Sequence, residues 1–179
     1  CTLAAATTGG RVVVALAGDV RSAVARDALT ERLRGLRVIP QRGTGLAERL
    51  VHAHADAAGA FGACVQVGMD TPQVTATQLV ELSGRISSPD GADAVLGPAT
   101  DGGWWVLGLR RPAAATALHD VPMSTPTTYD ATREALARAG LGVAVAATLR
   151  DVDDAEDAGA VAAVAPDGEF ARAWREARR

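Results

Sequence analysis

Lysine is absent, so all 18 Lys-or-Arg positions are arginine. No side-chain amine is available as a nucleophile or for a Schiff base. Cysteine is almost absent too: Cys1 and Cys64 are the only two. That count excludes a disulfide framework and a zinc ribbon, and a cytoplasmic setting is expected. No apolar run approaches the roughly 18–20 residues of a membrane helix. The first ten residues lack a basic start and an apolar centre, so no signal peptide is expected. They also lack an initiator Met and read like the end of a helix, so further sequence upstream is expected. Nor is there an excess of positive charge. A net charge of −3 and a pI near 5.6 argue against non-specific nucleic-acid binding. Histidine is sparse: His52 and His54 lie two apart on a helical pattern and face different ways, and His119 stands alone. A histidine metal site is therefore not expected. The chain carries no nucleophile elbow, HExxH, P-loop or early GxGxxG.

What is present is an ordinary globular composition, 48% apolar and 22% charged over 179 residues. One domain spanning 1–179 is expected, long enough to bury about 70% of its unfolded surface without a staple. Short apolar runs predict strands at Arg11–Ala17, Leu36–Pro40, Ala63–Gly68, Ala92–Gly97, Trp104–Leu109 and Leu141–Ala147. Helical spacing predicts helices over Asp19–Gly35, Leu46–Ala58, Thr75 to about Ile86, Ala113–His119, Thr127–Ala139, Glu156–Val164 and Glu169–Arg178. Strands that alternate with helices, and are apolar throughout, imply an α/β fold. A mainly parallel sheet with helices on both faces is the expected form.

Ligands of open α/β sheets gather at the carboxyl ends of the strands. "QRGTGLAERL" follows the second strand. Gly43 and Gly45 free its backbone, and the next helix offers N–H groups to an anion; a plain flexible loop is the bland alternative. "GMDTP" follows the third strand. It puts Asp70 where a hard divalent cation could be held through oxygen, or where a turn needs a cap. "PATDGGWW" follows the fourth. Its glycines suggest close approach to a ligand or a positive-φ turn, and alternation sends Trp104 and Trp105 to opposite faces. "RDVDDAED" follows the last strand. Such a charge run is usually a solvated face, yet one or two of Asp151, Asp153, Asp154 and Asp157 could share Asp70's crevice.

In order, "QRGTGLAERL", "VGMDTPQVT", "ADAVLGPATDGGWWVLGL", "VPMSTPTT" and "LRDVDDAEDA" resemble the GT-A-like bacterial transferases long labelled a domain of unknown function. Some relatives carry an arsenosugar-biosynthesis glycosyltransferase assignment. The resemblance runs from about Val38 to Ala158 and is most specific in "LGPATDGGWWVLGL". It implies a nucleotide-diphospho-sugar transferase fold. It further implies that Asp70, with Asp153 of "DVDDAED", holds Mg²⁺ or Mn²⁺. Gln41, Arg42, Gly43, Gly45 and Arg49 match the loop that holds the nucleotide. Thr71, Pro72, Gly102, Gly103, Trp104, Ser124 and Thr125 fall where sugar or acceptor binds, and Asp101 is the implied base. The resemblance also implies an opening strand and a basic loop, which are expected to lie upstream of Cys1.

The expected activity is metal-dependent glycosyl transfer from a nucleotide-diphospho-sugar. Two alternatives stay open: nucleotidyl transfer from an NTP to a phosphorylated substrate with release of pyrophosphate, and a non-catalytic nucleotide-binding module. Fold alone does not choose among them. The base, the sugar, the acceptor and the oligomeric state are not read from the residues.

Overall fold

The computed structural model describes residues 11–58 and 62–179. Six strands are present: β1 Val13–Leu16, β2 Arg37–Pro40, β3 Cys64–Val67, β4 Ala94–Pro98, β5 Trp104–Leu109 and β6 Val143–Val145. The helices are α1 Arg26–Leu33, α2 Leu46–Ala58, α3 Ala76–Ser87, α4 Thr128–Arg138, α5 Ala155–Val164 and α6 Glu169–Ala177, with 3-10 turns at Val20–Ser22 and Pro112–Leu118. The helix expected from Asp19 is thus broken in two. Asp19 accepts from the backbone N–H of Arg21 and winds a 3-10 turn. Val24 then faces solvent, and α1 buries none of its side chains. An apolar set that never lines up as one stripe has no core to hold it as a long helix. The helix expected at Ala113–His119 is likewise a 3-10 segment opened by Pro112.

The strands form two sheets. β1 and β2 make a parallel pair. The other four run in the order β3-β5-β4-β6, with β4 parallel to β6 and β5 antiparallel to both β3 and β4. The sheet is thus only partly parallel, and the reason is chain length. Residues 99–103 alone separate β4 from β5, whereas a parallel return needs a crossover of about a dozen residues or more. Consequently β3, β4 and β6 all deliver their carboxyl ends to the same edge.

Alternation splits the core between two faces, interrupted where the register shifts between Gly97 and Pro98, which pair with Val106 and Trp104 and leave Trp105 on the same face as Val106. Leu96, Leu107 and Leu109 pack on one side with Val51 of α2, Leu118 and Leu136 of α4. Val95, Trp105 and Val106 pack on the other with Leu79, Leu82 and Ile86 of α3. Helices therefore cover both faces, as the uniformly apolar strands imply. α3 opens on a full capping box: Thr75 accepts from the Gln78 N–H while Gln78 accepts from the Thr75 N–H. No helix among the described residues is long and apolar enough to cross a membrane.

Candidate functional site

Three segments that follow β3, β4 and β6 are sewn together past the sheet's edge. Ala146 N–H donates to Leu96 C=O at 3.0 Å. Leu149 N–H donates to Pro98 C=O, and Thr100 N–H donates back to Leu149 C=O, each at 3.1 Å. Trp105, only 2% exposed, donates its indole N–H to Ala147 C=O at 2.9 Å. Beyond Leu149 the chain turns toward the β3 segment. Val152 N–H donates to Asp70 C=O at 2.9 Å, and the Gln73 amide donates to Arg150 C=O at 2.5 Å.

This stitching gathers acids. Carboxylate oxygens of Asp101, Asp151 and Asp153 all lie within 4.8 Å of one another. Asp151 and Asp153 lie two apart on the irregular segment between the Ala99–Leu149 bridge and α5. Asp101 is held by its own turn, where its Oδ1 accepts from Gly103 N–H at 2.7 Å. Burial pushes the Asp151 carboxyl up from its ordinary range, and the charges of Asp101, Asp153 and Asp70 push it further. Asp70 is thus near enough to act on Asp151 without belonging to the triad.

The other acids of the run are engaged elsewhere. Asp154 caps α5, accepting from Glu156 and Asp157 N–H groups. Asp157 pairs with Arg150 at 2.8 Å and accepts from Asp153 N–H at 3.3 Å. Its carboxyl is held below the usual range, chiefly by the Arg150 hydrogen bond.

The glycines of "DGG" have an internal explanation. Gly102 has φ +92°, and a Cβ there would collide with the Pro126 carbonyl. Gly102 C=O also accepts from Tyr129 N–H at 2.9 Å. The Ser124–Tyr129 segment therefore packs directly on the Asp101 turn. Ser124 is exposed, at a φ of +57° that non-glycine residues rarely adopt. The Thr125 hydroxyl meets those of Thr127 and Thr128 at 3.2 Å. Trp104 and Trp105 do lie on opposite faces: half-buried Trp104 donates to the Thr132 hydroxyl of α4 at 3.1 Å. Thr71 is fully buried and Pro72 half-buried behind Asp70.

The glycine loop closes on itself. Gln41 donates its amide to Ala15 C=O at 3.1 Å, tying the loop to β1. Arg42 forks onto Asp56 at 2.9 and 2.7 Å. Gly43, at φ +127°, leaves no room for a Cβ beside Glu48. Both the N–H and the hydroxyl of Thr44 donate to one Glu48 oxygen, at 2.9 and 3.0 Å. Arg49 reaches Gly43 C=O at 3.4 Å, and Gly45 C=O accepts from Arg49 N–H. The Glu48 carboxylate therefore occupies the amide an incoming anion would use.

Comparison with known proteins follows the same geography. The family model described as "Uncharacterized protein conserved in bacteria (DUF2064)" matches residues 2–125. The chain belongs to this family. A crystal structure from Desulfovibrio desulfuricans G20, described as a "putative nucleotide-diphospho-sugar transferase", is similar in fold. Its TM-score is 0.74 at 24% identity, over 90% of this chain and 68% of that one. No curated protein matches. The chain therefore shares the α/β fold of that structure. The matched span of DUF2064 ends before Asp151 and Asp153, two of the three clustered acids. Asp151 was not singled out from its neighbours by sequence reasoning. The D-x-D spacing just after the last strand is the signal that would have found it.

Proposed function

We propose that this DUF2064 chain is a metal-dependent transferase that takes a glycosyl group from a nucleotide-diphospho-sugar. The supporting observation is the Asp101–Asp151–Asp153 cluster at the carboxyl ends of β4 and β6, in a fold of this class. The donor set is all carboxylate oxygen, which suits Mg²⁺ or Mn²⁺. Oxygens around one such ion lie at most about 4.2 Å apart, so small rotations of exposed Asp101 and Asp153 close the present spread. When bound, the ion supplies positive charge against a leaving diphosphate.

Asp101, Asp151 and Asp153 are the proposed ligands, and Asp70 adds a fourth carboxylate at the rim. Asp101 thereby shifts from the implied base to the ion's side of the site. The Gly103 N–H holds its Oδ1. Gln41, Arg42, Gly43, Gly45 and Arg49 are retained as the proposed nucleotide loop. Arg42 would have to trade Asp56 for phosphate, and Glu48 would have to yield the Thr44 amide. Thr71, Pro72, Gly102, Gly103, Trp104, Ser124 and Thr125 are retained as the wall of the sugar and acceptor subsite. Ser124 and Thr125 are well placed for it, since their segment packs on the Asp101 turn.

Thermal unfolding with Mn²⁺ and a panel of nucleotides tests the reading. Stabilisation by UDP- or GDP-sugars only when Mn²⁺ is present supports it. Stabilisation by NTPs instead, with pyrophosphate release on turnover, would replace it with nucleotidyl transfer. No response to either would leave a module that binds neither donor.

A further inference from the structure

We propose that Gln73 is the positioning residue of the acidic cluster: its amide N–H clamps the segment that carries Asp151 and Asp153 onto the segment that carries Asp70. This inference rests on the reading of the cluster as a cation site and adds to it a residue that contacts no ligand.

Two crossing hydrogen bonds carry the argument. Val152 N–H, between the two clustered acids, donates to Asp70 C=O. Gln73 Nε2, three residues past Asp70, donates to Arg150 C=O, the residue just before Asp151. The acidic segment is therefore gripped on both sides of Asp151, once by backbone and once by this side chain. Backbone bonds hold the strip to the β4 segment at Leu149 and to Asp70 at Val152; the Gln73 contact at Arg150, between them, adds the side-chain tie to the Asp70 segment and bears on where Asp151 and Asp153 point.

Gln73 is poorly accounted for as a packing residue. Its Oε1 is buried and has no hydrogen-bond partner among the described residues. A buried amide oxygen without a protein partner adds no stability; what the side chain visibly supplies is the N–H. The neighbouring Thr75–Gln78 box shows the contrast. There both hydrogen bonds are local and serve only to start α3. The strip's contacts with Asp157, from Arg150 and from the Asp153 N–H, stay between the strip and its own helix and do not fix it relative to Asp70.

Groups that orient metal ligands without touching the metal typically change affinity by about 10–100-fold when removed. The test uses the full chain and Mn²⁺ alone, read by electron paramagnetic resonance. Amide exchange at Val152 and the unfolding temperature are read beside it. Gln73→Met keeps the side chain's length and removes the donor. It is expected to weaken Mn²⁺ binding about 10–100-fold and to speed Val152 exchange, with exchange in β4 and β5 unchanged. Gln73→Glu, which turns an acceptor toward the Arg150 carbonyl, is expected to do the same and serves if the Met variant folds badly. Gln78→Met is the structural control: it breaks the α3 cap, lowers the unfolding temperature and leaves Mn²⁺ affinity as it was. Unaltered Val152 exchange and Mn²⁺ affinity in both Gln73 variants would overturn the proposal. So would a Gln78→Met loss of affinity equal to theirs, because Gln73 would then matter only as part of the fold. If the wild-type chain binds no Mn²⁺, the cation reading fails, and Val152 exchange still decides whether Gln73 clamps the strip.

Discussion

The two regions that end in candidate ligand groups are built differently. The edge formed by β3, β4 and β6 rests on strands whose core residues are fully buried, such as Val95, Leu96, Val106 and Leu107. Its loops are tied to one another by backbone bonds, by Trp105 and by Gln73. The β1–β2 pair has one well-buried apolar side chain, Ile39, and leaves Val38 exposed. Its glycine loop is held by its own side chains: Arg42 on Asp56, Glu48 on Thr44. The first region fixes like charges at short range and so stores repulsion in a rigid frame. The second neutralises its charges pairwise on a frame with little packing behind it. A cation site needs the first kind of construction, because ligands that repel one another separate unless the backbone holds them. A site that exchanges one anionic partner for another is served by the second.

The sharpest way to break this contrast is to remove the repulsion. Asp151→Asn with Asp153→Asn is expected to abolish Mn²⁺-dependent stabilisation by a nucleotide-sugar. In the absence of metal the unfolding temperature should hold or rise. Calorimetric titration and thermal unfolding check both halves. A metal-free variant clearly less stable than the wild type would show that the acids hold the loop rather than an ion.

How far the sequence foretold each region follows from what each depends on. The strand cores were readable because buried β-branched runs announce themselves, and the two-faced core follows from alternation at Trp104 and Trp105. That the segments after β3, β4 and β6 meet was readable as a property of carboxyl strand ends; the clustered carboxylates are those of Asp101, Asp151 and Asp153, with Asp70 outside the cluster. Which acids of "RDVDDAED" would gather was not. Asp154 is diverted by a helix cap and Asp157 by Arg150, and both partners depend on where α5 begins. The direction of β5 was available in the short 99–103 link but was outweighed by the alternation of helices and strands. Glu48's place on the Thr44 amide was hidden because the same sequence suits a cap or an anion cradle. Asp70 and Gln73 illustrate the remaining limit: hydrogen bonds between distant loops leave no periodic trace.

Packing predictions sharpen the comparison next. Leu136→Ala, in the fully buried cluster on the central sheet, should cost about 2–5 kcal/mol by chemical denaturation. Val38→Ala in exposed β2 should fall within about 0.5 kcal/mol of wild type. Equal losses at the two sites would erase the distinction between the regions. His54 gives a pH-dependent version. It is 1% exposed on α2, and among the described residues no well-aligned hydrogen bond reaches either ring nitrogen, though Gln66 is close enough to act on the ring. Burial lowers its pKa to about 4, only partly offset by nearby Gln66. The folded value lies below the ordinary 6.5, so this contribution is complete above pH 6.5 and is lost as pH falls toward 4. The full loss is about 3 kcal/mol, from about 1.36 kcal/mol per pKa unit. His54→Leu should flatten the stability slope between pH 6.5 and 4; an unchanged slope would place the titration elsewhere.

The smallest effect tests the glycine loop's capacity to exchange partners. Arg42 and Asp56 are exposed enough that their ion pair contributes little to stability. The Asp56 hydrogen bond nonetheless holds the Arg42 pKa above its usual value and the Asp56 carboxyl below its own. If Arg42 meets nucleotide phosphate, Asp56 competes with that phosphate for the same guanidinium fork. The two single substitutions then have opposite signs. Arg42→Ala should weaken nucleotide-sugar binding, and Asp56→Asn should strengthen it by freeing the arginine. Each change is expected at about two- to fivefold, the scale of one solvent-exposed charge contact. Raised salt should compress both, since the pair and its replacement are screened alike. Titration of the Mn²⁺-loaded chain with a nucleotide-sugar at low and high ionic strength reads all of this. Changes of the same sign, or none, would leave Arg42 as a brace between the glycine loop and α2 and would move the phosphate site away from this loop.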